Sequence, residues 1–136
     1  IVILKVRIVF YKQIALPLVE EFAYMTGDLN PVHMDSEFCF NKGMKSKIVH
    51  GALIISLVTS VVGMQFPGKG SIILSLSADF MIPAFIGDKL DIFMKVLSMQ
   101  KNEGMGLETV KIKYKVKRIG KTLARGNVTV SVNYVE

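Results

Sequence analysis

Apolar and polar residues alternate with a period of two over most of the chain after Gly70. Pro83 and short turns at residues 87–88, 102–106 and 119–121 interrupt the alternation. Strands that bury one face alternate in this way, and turns this short join antiparallel neighbours. The alternating apolar sets are Leu74, Leu76, Ala78, Phe80 and Ile82, then Leu90, Ile92, Met94 and Val96, then Val110, Ile112, Tyr114 and Val116, and finally Val128, Val130, Val132 and Tyr134. The pattern therefore predicts a largely antiparallel sheet.

The N-terminal part of the chain carries one further strand pattern and two helical ones. Residues 5–12 are rich in β-branched and aromatic side chains, which predicts a strand. Residues 16–26 predict a helix, with Pro17 in its first turn and Gly27 as its stop. The Asn-Pro step within residues 28–33 predicts an irregular loop. Asp35 or Ser36 then predicts the cap of a short helix.

The longest apolar segment, residues 48–68, has to be tested as a membrane span because it carries no formal charge. Its length is close to the roughly 20 residues that a spanning helix needs. His50 and Pro67 interrupt it, however, and no Trp or Tyr flanks it. We therefore predict a helix from Gly51 to near Gly63 that is buried inside the protein.

An antiparallel sheet with one apolar face has to bury that face against another layer. The helix that begins at Gly51 is the segment long and apolar enough to do so. The simplest architecture is α+β, with a curved antiparallel sheet wrapped around one long central helix, which is the hot-dog fold. We expect a single domain over residues 1–136. The usual assembly of the hot-dog fold, a dimer in which two sheets pair edge to edge and so cover exposed edges, implies a homodimer.

Charge and composition narrow the class of partner. The net charge is +6, from 17 basic and 11 acidic residues, which favours anionic partners. The basic residues at alternate positions predict the solvent face of a strand rather than a nucleic-acid site, since no aromatic residues interleave with them on that face. These residues are Lys111, Lys113, Lys115 and Lys117.

Cysteine and histidine are too scarce for a disulfide framework or a zinc site. The single Cys39 cannot form an internal disulfide, and two histidines with one cysteine leave little for zinc. The apolar start at residues 1–4 has no signal-peptide pattern. We expect a cytoplasmic protein, with a mitochondrial or other organellar location as the open alternative.

One short loop carries the first candidate site. Asp28, Asn30 and His33 lie in the pattern Gly-Asp-x-Asn-Pro-x-His, and Pro31 stiffens it. A stiff loop can direct a carboxylate and an imidazole towards one point, which is what general acid–base chemistry on a water molecule requires. On spacing alone, a turn shaped by Asp28 and Asn30 with an exposed His33 is the slightly favoured interpretation.

The second candidate site is His50-Gly51 at the predicted start of the long helix. The N–H groups of a first helical turn lack intrahelical partners and lie at the positive end of the dipole. Gly51 has no side chain to block its N–H, so that N–H could stabilise a developing oxyanion. The alternatives are a glycine needed for close packing and a structural His50.

The two candidate-site motifs follow one another along the chain in the same order as in a known family. The sequence resembles the MaoC-like dehydratase family, and within it the (R)-specific enoyl-CoA hydratases. The likeness extends over nearly the whole chain, with the clearest motifs between Phe22 and Asp88. The matching segments read FA at 22–23, TGDLNPVHMD at 26–35, IVHG at 48–51, FPGKGSI at 66–72 and FMIPAFIGD at 80–88.

The resemblance implies a hot-dog dimer with two active sites near the subunit interface. Asp28 and His33 match the family's catalytic pair, and Asn30 matches the residue that helps to orient them. Gly51 matches the position whose N–H polarises the thioester carbonyl. Together these groups would add one water molecule across a trans-2-enoyl thioester to give an (R)-3-hydroxyacyl thioester, or catalyse the reverse dehydration.

The resemblance implies no metal and no redox cofactor, because the CoA or carrier-protein arm belongs to the substrate. Thr59 and Val62 match positions on the central helix near the acyl pocket. The chain departs from the family at Lys47, where relatives often have proline, and in the lead-in at residues 43–46. These departures leave open the acyl chain length and the choice of CoA or carrier.

Alternative functions on the same fold are a 3-hydroxyacyl-carrier-protein dehydratase, a thioesterase and a non-catalytic acyl-thioester-binding module. Hot-dog thioesterases and another dehydratase type commonly place an Asp or Glu on the central helix. No acidic residue lies between Glu37 and Asp79, which counts against both. The carrier-protein dehydratase stays open because carrier proteins are acidic and this chain is basic.

Overall fold

The computed structural model describes residues 7–102, 104 and 106–132. Part of the predicted first strand, residues 5–6, and Tyr134 of the last one lie outside these residues. In chain order the elements are β1 (Arg7–Gln13), α1 (Leu16–Thr26), α2 (Pro31–Met34), α3 (Ser36–Asn41), α4 (Gly51–Met64), β2 (Ile72–Leu76), β3 (Asp79–Phe80), β4 (Lys89–Asn102), β5 (Leu107–Arg118) and β6 (Lys121–Ser131).

The strands form one antiparallel sheet in the order β1-β4-β5-β6-β2, and β3 also pairs with β6. Strands β2 and β3 thus follow one another along the same edge of β6. Helix α4 packs its buried side chains into a single core with the inner face of the sheet. This is the predicted α+β arrangement of a sheet around one long helix.

Alternation along β4, β5 and β6 buries the side chains that the sequence pattern indicates. Leu90, Ile92, Ile112, Val116 and Val128 are fully buried. Hydrophobic burial of this kind contributes about 25 cal/mol per Å² of apolar surface, so the core that α4 shares with the sheet stabilises the fold. No helix in the described residues is long and apolar enough to cross a bilayer.

The predicted phase of the strand after Gly70 is wrong at Leu74. Leu74 is half exposed, whereas Ile73 packs against the core. The pairing with β6 shifts between Ile73 and Ser75, so Leu74 is the extra residue of a bulge. The extra residue lets Ile73 and Leu76 both face the core, and the sequence alternation does not reveal it. Leu76 and Phe80 keep the predicted phase, because they pair with the buried Val128 and Ala124.

The link between β2 and β3 crosses β6 at a glycine. Tyr114 donates a hydrogen bond to the Ser77 carbonyl (2.7 Å), and the Asn127 N–H donates to Ser77 Oγ (3.0 Å). Burial, together with the nearby Asp79, raises the pKa of Tyr114, so its hydroxyl stays protonated and remains a donor. A Cβ at Gly126 would overlap the Ser77 carbonyl. The position of β3, and of Phe80 within it, therefore depends on Gly126.

We expect Gly126→Ala to lower the free energy of unfolding by about 1–3 kcal/mol, because backbone has to move to admit the methyl group. Urea unfolding followed by circular dichroism measures this change. Gly63→Ala in α4 is the matched control, since no heavy atom lies within 4 Å of its added Cβ. That control should be neutral or stabilise by roughly 0.5–1 kcal/mol. Equal stability of the two variants would contradict the close approach at Gly126.

Candidate active site

The loop after α1 holds Asp28 in place through local hydrogen bonds. Gly27 ends α1 with a left-handed backbone (φ 77°) and donates to Ala23 O, as its place in the sequence predicts. Asp28 Oδ1 then accepts from the Asn30 N–H (3.3 Å). About half of the Asp28 side chain is exposed (51%), which leaves Oδ2 accessible to a ligand.

The predicted irregular loop at residues 28–33 is wrong for its second half. Pro31–Met34 forms the one-turn helix α2, with Asn30 as its N-cap. Asn30 Oδ1 accepts from the Val32 N–H (3.2 Å), and Pro31 occupies the first helical position. An Asn followed by Pro is itself a helix-start signal, which the turn interpretation overlooked. Asn30 therefore fixes the short helix that carries His33.

His33 is buried (8% exposed) and faces Asp28. Its Nδ1 lies 2.7 Å from the Ile48 carbonyl. Because a carbonyl can only accept, Nδ1 carries the proton and Nε2 of the neutral ring is an acceptor. His33 Nε2 lies 3.9 Å from Asp28 Oδ2, too far for a direct hydrogen bond. One water oxygen can, however, lie within hydrogen-bond distance of both atoms.

Gly51 is the first residue of α4, as predicted, and His50 is the N-cap of this helix. Within the described residues the Gly51 N–H has no hydrogen-bond partner. A Cβ at this position would lie 2.9 Å from Phe80 Cζ, so the glycine lets the Phe80 ring approach the helix start. Helix geometry leaves this N–H at the positive end of the α4 dipole.

A cleft of about 350 Å³ connects these groups. His33 and Gly51 both line it, and apolar side chains that include Ile54, Phe80 and Ile82 form the rest of its wall. An apolar cleft with two polar groups on its wall suits a ligand with an acyl chain and one polar function. Asp28 does not line the cleft itself, but its Oδ2 lies 3.9 Å from Nε2 of His33, which does.

Thr59 and Val62, the predicted substrate-binding residues, lie further along α4. Thr59 is half-buried and donates from Oγ1 to Ser56 O (2.9 Å), whereas Val62 is buried in the core between α4 and the sheet. Neither residue lines the cleft. Their role in the acyl pocket stays a prediction.

His50 contacts the site more closely than the sequence interpretation assumed. Its Nε2 lies 3.0 Å from the Asp28 carbonyl oxygen and donates to it. Its ring stacks on His33 with 3.8 Å between centroids and 26° between planes. A separation of 22 residues gave no sign of this contact. Phe80 was likewise missed as a neighbour of Gly51, because this contact joins β3 to the start of α4, two segments far apart in the sequence.

The cluster of Asp28, His33 and His50 places ligand-type atoms within 4.8 Å of one another. Backbone carbonyls already engage one nitrogen of each ring. The two rings stack on each other, with 3.8 Å between centroids. Metal ligation requires lone pairs that converge on one ion, which a stacked pair of rings does not favour. The geometry suits proton transfer better than ion coordination.

Residues 11–131 match the family model described as "MaoC like domain". The chain belongs to the MaoC-like family. The resemblance inferred from the sequence motifs is thereby confirmed. An (R)-specific enoyl-CoA hydratase from Aeromonas caviae is 36% identical over 94 residues, which cover 69% of this chain and 70% of the relative. A 3-hydroxybutyryl-CoA dehydratase from Methylorubrum extorquens is 32% identical over 88 residues, but only 56% of its own length is covered.

Solved structures of MaoC-like proteins have the same fold. The (R)-hydratase from Aeromonas caviae superposes with a TM-score of 0.86 at 28% identity, covering 95% of this chain and 96% of the hydratase. The match extends over nearly the full length of both chains, so the hot-dog architecture is confirmed. The MaoC-like relatives named here are hydratases and dehydratases.

Proposed function

We propose that this MaoC-like chain is an (R)-specific enoyl-CoA hydratase. It adds water across a trans-2-enoyl thioester and catalyses the reverse dehydration of the (R)-3-hydroxyacyl thioester, which makes it a hydro-lyase. The observation that carries the proposal is the separation of 3.9 Å between Asp28 Oδ2 and His33 Nε2, next to a cleft that His33 shares with Gly51.

Asp28 and His33 act together on one water molecule. Both facing atoms are acceptors, so the water donates one hydrogen to each and directs an oxygen lone pair towards C3 of the substrate. When the C3–O bond forms, the pair takes one proton from the water. The electrons of the double bond move to the thioester oxygen as an enolate, and C2 then receives a proton from the pair. The pair ends the cycle in its starting protonation state.

The Gly51 N–H stabilises the enolate oxygen as its charge develops. Such a preorganised donor at a helix start is effective because it needs no reorganisation during the reaction. The addition is redox-neutral, and each step uses groups of the chain or of the substrate. We assign no metal and no redox cofactor to it. Thr59 and Val62 on α4 are the proposed residues of the acyl pocket.

A hydration assay on crotonyl-CoA and longer enoyl-CoA thioesters tests this proposal. We expect loss of the enoyl thioester absorbance and an (R)-3-hydroxyacyl-CoA product on chiral analysis. Formation of the (S) product, or no turnover with any chain length or carrier, would contradict the proposal. Thioester binding without turnover would favour the non-catalytic binding module instead.

A carrier-linked substrate is the second candidate, because a basic surface reaches the edge of the cleft. Lys113 pairs with Lys95, and Lys115 pairs with Arg125, on the sheet face that points away from α4. Arg125 in turn pairs with Asp79, which precedes Phe80 at the cleft. An acidic carrier protein would be attracted to this row of cations.

The assay distinguishes the two candidates when CoA and carrier-protein thioesters of the same acyl chain are compared. A higher kcat/KM with the carrier at low salt, falling towards the CoA value as salt rises, would favour the 3-hydroxyacyl-carrier-protein dehydratase. Salt screens exposed charges over about 10 Å at 0.1 M, so the carrier reaction should respond more strongly.

A homodimer is the proposed assembly. Strand β2 lies at the edge of the sheet, where it presents unpaired backbone groups. Ile72 and Leu74 on this strand are half exposed. Pairing of two β2 edges would cover both the backbone groups and these side chains.

A further inference from the structure

His50 is buried (1% exposed) and lies next to both Asp28 and His33. It precedes Gly51 as the N-cap of α4, but its side chain does not cap that helix. Its ring instead faces the loop that carries Asp28. The buried imidazole is therefore not explained by the start of the helix.

Two contacts connect His50 to the two groups that are proposed to hold the water. The Nε2–H donates to the Asp28 carbonyl, which fixes the backbone of the residue that carries the carboxylate. The ring stacks on His33, and Phe22 also contacts the His50 ring edge to face at 5.1 Å. One side chain thus touches both members of the pair.

The remaining nitrogen of His50 supports a specific role for the side chain. Nδ1 is buried and has no hydrogen-bond partner within the described residues. An unsatisfied buried acceptor costs free energy, so an apolar ring would serve better if packing were the only requirement. The donor at Nε2 and the stacking are what a histidine adds here.

We propose that His50 is a positioning residue that sets the separation between the Asp28 carboxylate and the His33 imidazole. This inference rests on the proposed hydratase function. His50 does not touch the reacting atoms and acts through Asp28 and His33. A shift of about 1 Å in a reacting group can lower the rate about 10²-fold, so the effect of losing its hydrogen bond should be measurable.

Two substitutions separate the hydrogen bond from the ring. His50→Phe keeps a stacking ring but lacks the donor, and His50→Gln keeps an amide donor near the place of Nε2. We expect His50→Phe to lower kcat for crotonyl-CoA about 10- to 100-fold with little change in KM, and His50→Gln to recover most of that loss. Thermal unfolding of both variants checks that they fold.

A double-mutant cycle with Asp28→Asn distinguishes a positioning role from a purely structural one, because it compares the effect of His50→Phe on kcat with and without the carboxylate. If His50 acts through Asp28, His50→Phe should have little further effect on kcat in the Asp28→Asn background. An equal fold-loss in both backgrounds, an unchanged kcat, or a change confined to KM would overturn the inference.

A crystal structure of each His50 variant distinguishes failure of this inference from failure of the proposed function. We expect the separation of Asp28 Oδ2 and His33 Nε2 to stay near 3.9 Å in His50→Gln and to change in His50→Phe. An unchanged separation in His50→Phe overturns the positioning role whether or not the wild-type chain hydrates enoyl thioesters. Absence of wild-type turnover contradicts the hydratase proposal alone.

Discussion

Asp28→Asn is expected to lower kcat for the hydration of crotonyl-CoA about 10²-fold or more while leaving the fold intact. The amide keeps an oxygen that can accept from the Asn30 N–H, so the local hydrogen bond at 3.3 Å can persist. It lacks the negative charge and the basicity that proton transfer needs, and general acid–base catalysis typically contributes 10²- to 10⁴-fold. Initial rates at saturating thioester, with thermal unfolding as the check on folding, measure the effect.

Asp35→Asn is the matched control for this variant. Asp35 also accepts a backbone hydrogen bond through Oδ1, from the Phe38 N–H at 3.1 Å, where it caps α3. Asn caps helices about as well as Asp, so this change should alter neither stability nor kcat appreciably. A wild-type rate in Asp28→Asn, or an equal loss in both variants, would remove Asp28 from the reaction.

The helices and strands with a strong periodic pattern could be predicted from the sequence, because burial of one face and capping of the ends determine such elements. Helix α1 begins at Leu16 with Pro17 in its first turn and ends at Gly27, as capping preferences predict. In β5, Ile112, Tyr114 and Val116 are buried and alternate with more exposed lysines, because one face of the sheet is exposed to solvent. Burial and capping act locally, so their signals are visible in the local sequence.

Features that depend on contacts between distant segments were not predictable in the same way. The bulge at Leu74 arises from pairing with β6, and it leaves the Leu74 side chain half exposed. The bond from His50 to the Asp28 carbonyl joins residues whose separation carries no periodic signal. Tertiary pairing decides both features, and neither leaves a pattern in its own segment.

The residues of the site could be predicted from the sequence, but the way in which they come together could not. The loop sequence indicated Asp28, Asn30 and His33, and the start of the long helix indicated Gly51. Their convergence depends on the segment before α4, whose Ile48 carbonyl accepts from His33 and whose Val49 N–H donates to Ala84 O. This short pairing brings the loop, the helix start and the cleft wall together.

Removal of the Gly51 N–H is expected to lower kcat about 10²- to 10³-fold, the usual effect of losing one oxyanion-hole donor. Proline can make this change, because it is favoured at the first position of a helix, where its missing N–H breaks no intrahelical bond. The His50 backbone (φ −55°, ψ 129°) is also compatible with a following proline.

Any Cβ at position 51 meets the Phe80 ring, so Gly51→Pro and Gly51→Ala should be compared in a Phe80→Ala background. Both variants then carry a Cβ, and Gly51→Ala retains the N–H. Because Phe80 is half exposed, its truncation should leave the core intact, and thermal unfolding of all three proteins verifies this. If Gly51→Pro turns over crotonyl-CoA as fast as Gly51→Ala, the enolate oxygen is stabilised by another group and the role assigned to the start of α4 is wrong.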